Sequence, residues 1–183
     1  MKGLALAGVL AIGVAACASS GNGGSKQSAT GKPLVVETTP LSPMTDTFSP
    51  FSATSTGYET HAVALYNEPL FIFNNLRPTQ APVPVLATAY KWSNGGKTLT
   101  LTTRQGVKWN DGKPFSASDV AFTFNLLAKN PGLNVVGTPL PASATASGNT
   151  VTLTFSAPQY ANLFLIGQVN IVPEHIWAHV GDP

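Results

Sequence analysis

The chain has 183 residues, 43% of them hydrophobic and only 10% charged, and its formal net charge is +2. That balance excludes disorder driven by charge, and Lys and Arg fall singly with no basic stripe, so nucleic acid finds no electrostatic footprint. A single cysteine excludes an internal disulfide, which leaves stability to packing.

Met1-Lys2 is a minimal basic start, and an uncharged run from Gly3 follows it to Val14-Ala15-Ala16-Cys17. About 14 residues at about 1.5 Å each reach about 21 Å, short of the roughly 30 Å hydrocarbon core. Residues 1–16 therefore read as a signal peptide and not a membrane span. The aliphatic-small-small-Cys order resembles a bacterial lipobox. On that resemblance Cys17 is lipidated and becomes the mature N-terminus; an ordinary free thiol is the plainer alternative. Residues 17–33 then hold the lipidated Cys and a Gly/Ser-rich tether, whose r.m.s. reach is roughly 21 Å. Without Lys2 the mature chain, about 167 residues from Cys17, carries a charge near +1 and suffices for one domain's core, with residues 34–183 as the N-terminal part of the folded domain.

Leu34 to Thr38 is a strand candidate stopped by Pro40. Tyr58 to Asn67 reads as a helix with Ala62, Val63, Leu65 and Tyr66 supplying apolar contacts, and Pro69 to Phe73 as a buried strand. Prolines at 78, 82 and 84 make Asn74 to Pro84 an extended crossing. Tyr90 to Trp92 and Lys97 to Thr103 flank Ser93-Asn94-Gly95-Gly96, a tight hairpin turn. Leu99 and Leu101 alternate with threonines, so one face is buried and the other wet. Asn110-Asp111-Gly112 is a second turn. Ser116 then caps a helix with Asp119 three residues on, the helix burying Val120, Phe124 and Leu127 and stopping at Asn130-Pro131-Gly132. Gly137 to Gly148 reads as a loop, Thr150 to Phe155 as a strand with Val151, Leu153 and Phe155 inward. Gln159 to Gly167 and Pro173 to Val180 read as short helices.

The block from Gly96 to Val120, GKTLTLTTRQGVKWNDGKPFSASDV, resembles the signature of the bacterial extracellular solute-binding proteins, family 5, which serve oligopeptide, dipeptide and nickel importers. Four further segments agree in order: Ser49-Pro50-Phe51, Tyr66-Asn67-Glu68-Pro69-Leu70, Val85-Leu86-Ala87 before Trp92, and Ile171 to Trp177. The resemblance implies an α/β fold, part of lobe one of a two-lobed periplasmic-binding-protein-like architecture. A mixed sheet with flanking helices is expected, left incomplete because members are longer than this N-terminal portion. It also implies capture of peptides or other small solutes at the outer face of the cytoplasmic membrane. Hand-off goes to the permease and ATPase subunits of an ABC importer.

In that family the loop before the first long helix offers main-chain groups to the ligand, which falls here on Ser55, Thr56 and Gly57. The chemistry suits the role, since Gly57 permits close backbone approach and two hydroxyls can bond a peptide, while a plain Ser/Thr loop is the bland alternative. Asn134, beside Leu133 after the second helix, faces the cleft in relatives and is the second candidate. Asp111 and Asp119 are accounted for by a turn and a cap, so no catalytic residue is assigned. His175 and His179 stand four apart beside Glu174, but the Glu precedes the first His, unlike the metalloprotease order, and no third ligand is evident. Neither a metal site nor a cofactor is expected. A structural or adhesive lipoprotein is the rival reading; it predicts repeats or low complexity beyond the tether, and the sequence has neither.

Overall fold

The computed structural model describes residues 47–59 and 61–180. Cys17, the segments 1–16 and 17–33 and the strand expected over Leu34 to Thr38 lie outside the described residues. The single helix expected over Tyr58 to Asn67 is instead two one-turn pieces, α1 (Thr56–Glu59) and α2 (Val63–Tyr66), with His61 at φ 58° between them. No residue of α2 is buried and Leu65 is 84% exposed, so no apolar face offsets the cost of a continuous helix.

The next segment pairs β1 (Phe71–Ile72) with β2 (Val83–Pro84), burying Leu70 and Phe71. The crossing expected to be merely extended thus ends in a short strand. A larger sheet follows from β3 (Ala87–Ser93), β4 (Thr98–Thr103), β5 (Ser143–Ser147) and β6 (Thr150–Thr154), in the order β3-β4-β6-β5. Every strand pair among the described residues is antiparallel. The first hairpin turns through Asn94 and Gly95 at φ 50° and 61°, the left-handed values that Asn-Gly supplies at least cost. Leu99 and Leu101 lie opposite Leu153 and Val151, all fully buried, while the alternating threonines stay half-buried on the other face.

Strand β5 corrects the reading of Gly137 to Gly148 as a loop. Its sequence, SATAS, has no apolar alternation to announce a strand. The strand is held from two sides: β6 pairs with it, and the Asn125 amide donates to Ala144 O (2.9 Å) and accepts from Ala144 N (3.3 Å).

One helix, α3 (Ala117–Lys129), covers the sheet, with Val120, Phe124 and Leu127 buried as their spacing requires. Its start is a capping box in which the Asp119 carboxylate accepts the Ser116 N–H at 2.8 Å. The other carboxylate oxygen accepts the N–H of Glu174 (2.9 Å), at the start of α5 (Glu174–Trp177). Thr123 accepts from Val172 N (3.2 Å), so α3 docks the chain's later segment as well as the sheet. Just ahead of α5 in the chain come a 3-10 turn at Tyr160–Asn162 and α4 (Leu163–Gly167).

Candidate functional site

The loop ahead of α1 is folded by its own hydroxyls. Ser55 Oγ donates to Ser49 O (2.8 Å), Ser55 N to Ser52 O (3.1 Å) and Thr56 N to Thr47 O (3.1 Å). This doubling back buries Ser55 and Thr56 and leaves Ser49 and Ser52 on the rim. Phe51 packs inward against Trp177 of α5, ring centroids 5.6 Å apart and edge to face. Gly57 is a close-approach glycine, though the neighbour is the protein itself: a Cβ there would overlap the Tyr66 phenol. The Tyr66 hydroxyl in turn donates to Phe48 O (3.1 Å), and burial raises its pKa.

Asn134 follows the 3-10 turn Pro131–Leu133. Its amide donates to Thr138 O (2.8 Å) and accepts from Thr138 N (2.9 Å), closing a turn that exposes Val135 and Val136. Asn134 and the Ser49–Phe51 loop therefore meet: Pro50, Phe51, Leu133, Asn134 and Thr138 line a cavity of about 70 Å³. Thr138 Oγ1 is buried there with no hydrogen-bond partner among the described residues.

Beside it opens a groove of about 550 Å³ with Leu133 as a shared wall. Its apolar sides are Phe48, Leu133, Trp177 and Val180, and its polar groups are Thr47, Ser49 and Ser52. Apolar walls carrying a few hydroxyls are the usual make-up of a small-molecule site. Of the residues singled out in the sequence, Asn134 lines the inner cavity, while Ser55, Thr56 and Gly57 lie behind the loop that borders the groove. Sequence reasoning singled out the segment around Leu133-Asn134 as its second candidate, but did not nominate Ser49, Ser52 or Trp177 as ligand contacts. All three nevertheless fall in or beside segments already notable, the Ser49-Pro50-Phe51 step and the run ending at Trp177.

Away from the groove, His175 Nε2 lies 2.7 Å from Asp111 Oδ2 and ties α5 to the turn at Asn110 to Gly112. The Lys113 N–H, and secondly His175, hold the Asp111 carboxyl below its ordinary pKa.

A model of the bacterial extracellular solute-binding proteins, family 5 Middle, matches residues 81–182. The dipeptide-binding protein of Escherichia coli is 37% identical over 99 residues, which cover 49% of this chain and 18% of that protein. The mannohexaose-bound periplasmic oligopeptide-binding protein of Thermotoga maritima is 30% identical, with a TM-score of 0.55 over 63% of this chain and 21% of its own. The ABC transporter substrate binding protein CtaP of Listeria monocytogenes is 26% identical, with a TM-score of 0.61 over 73% of this chain and 27% of its own. The chain spans 25% or less of the length of the curated relatives it matches.

Proposed function

The chain belongs to the bacterial extracellular solute-binding proteins of family 5, and from that membership we propose that it is the front part of a substrate-binding lipoprotein of an ABC importer. In this reading Cys17 carries the lipid that holds the protein at the outer face of the cytoplasmic membrane. A hinged pair of lobes closes on a peptide or related small solute, and the closed form docks on the permease. ATP is spent by other subunits, and the chain performs no catalysis of its own.

The observation that carries the proposal is the groove between Ser49–Ser52, Leu133 and Trp177. Trp177 and Phe48 offer flat apolar area at little entropic cost, and the hydroxyls of Ser49 and Ser52 can bond a peptide main chain. Ser55, Thr56, Gly57 and Asn134 back this wall and hold its shape. Its rigidity matters because every side chain ordered on binding subtracts from affinity.

Calorimetry of the full gene product against di- and tripeptides tests the reading. Leu133→Trp fills the groove, and should weaken peptide binding by about tenfold or more while the melting temperature without peptide changes little. Peptide affinity equal to wild type in this variant would remove the groove from the site.

A further inference from the structure

A second concavity, of about 630 Å³, lies between the turn-rich segment after β1 and the α4 region, and it shares no lining residue with the groove. We infer that it is a binding site for a neutral oligosaccharide. The inference does not rest on the importer reading.

The lining decides the chemical class. None of its residues is charged. A zwitterionic peptide, an anion or a metal complex finds no opposite charge among these residues. A neutral sugar needs none. Three aromatic rings form the walls: Phe73 and Phe164 meet edge to face at 5.3 Å, and Tyr90 is fixed by an edge contact with Phe71 at 5.7 Å. Tyr90 and Phe164 remain 40% and 39% exposed, offering ring surface to the C–H face of a pyranose. The seat of Phe73 is built into the backbone. A Cβ on Gly167 would stand 2.9 Å from its ring, so glycine there lets the aromatic wall close against α4.

The polar complement is planar amide. Asn75 makes no side-chain hydrogen bond to the described residues, and the Gln80 side chain accepts from Asn74 (3.4 Å) while its own N–H₂ stays unengaged among them. An amide presents a donor and an acceptor side by side, which matches vicinal hydroxyls. The segment carrying both is already shaped: Pro78 and Pro82 fix their φ angles, Asn74 Oδ1 accepts from Leu76 N (3.0 Å), and Gln80 N donates to Arg77 O (2.9 Å). Little ordering entropy is then left to lose on binding. Arg77 belongs to this segment but does not line the concavity.

The test is NMR titration of the full chain with maltohexaose and cellohexaose, the α- and β-linked glucose hexamers. Shifts should cluster on the amides of residues 73–82, 90 and 161–164. Asn75→Ala/Gln80→Ala and, separately, Phe164→Ala should each weaken binding about tenfold or more. Leu133→Trp, in the peptide groove, should leave it unchanged. No shift with either sugar up to about 10 mM, weaker than any useful affinity, overturns the proposal. So do shifts that cluster instead around Ser49, Leu133 and Trp177 and vanish in Leu133→Trp; this mapping decides the matter even if a pocket variant fails to fold.

Discussion

Gly57→Ala is the sharpest probe of how the groove loop is held. The new methyl would occupy the place of the Tyr66 phenol, but that ring is 39% exposed and can swing outward. The cost is therefore capped by the anchors that Tyr66 loses, not by a clash in a closed core. Its hydrogen bond to Phe48 O is worth about 0.5–1.5 kcal/mol and its edge contact with the Phe48 ring about as much. Against this, alanine gains about 0.5–1 kcal/mol over glycine within α1. The expected net loss is about 1 kcal/mol. With Tyr66→Ala already in place nothing is left to displace, so Gly57→Ala should be neutral or stabilising by up to about 1 kcal/mol. Urea unfolding of the four proteins yields the coupling directly, expected at about 1–3 kcal/mol. An equal cost of Gly57→Ala in both backgrounds would refute the contact as the reason for glycine.

Asp119→Ala strands two N–H groups, those of Ser116 and Glu174, and should cost about 2–4 kcal/mol in urea unfolding, with Asp119→Asn recovering part of it. Asp111 has a folded-state pKa below its unfolded value. Its contribution to stability is thus present above the unfolded value, near 3.8, and is lost as pH falls through the lowered folded one. His175→Ala should raise the Asp111 pKa and shrink that acid-side loss, read by carboxyl NMR titration and by melts between about pH 5 and 2; an unmoved carboxyl titration would dismiss the pair. Cys17→Ala should shift the protein from the detergent phase of membrane extracts to a soluble or unprocessed form, and normal processing with unchanged membrane retention would end the lipoprotein reading.

The β3-β4 hairpin was legible because its information is local: leucines alternate with threonines, and Asn-Gly supplies the turn. The capping box at Ser116 and Asp119 was legible for the same reason. Strand β5 was not, since Ser-Ala-Thr-Ala-Ser owes its extended shape to β6 and to the Asn125 amide of a distant helix. The helix over Tyr58 to Asn67 failed the other way, because no residue of α2 is buried and Leu65 is left 84% exposed. At the site, the sequence singled out Ser55 to Gly57, which lie behind the loop that borders the groove, and Asn134, which lines the inner cavity. It could not show that Ser55 would turn inward to bond Ser49 O and leave Ser49 and Ser52 at the groove, since that bond depends on how the loop doubles back.

The strand order β3-β4-β6-β5 also sets a sequence of events in time. A chain emerging N-terminus first can close the β3-β4 hairpin at once, but β4 is an inner strand whose second partner, through Thr98 opposite Thr154, arrives only after the whole of α3 has been made. Until then Leu99 and Leu101 face water and one flank of β4 offers unpaired N–H and C=O groups. Closing that distance costs loop entropy before any long-range contact repays it, so sheet completion should limit the folding rate. The interval is when a nascent or translocating copy is most exposed to self-association, and a holding chaperone would act on the hairpin before β6 arrives.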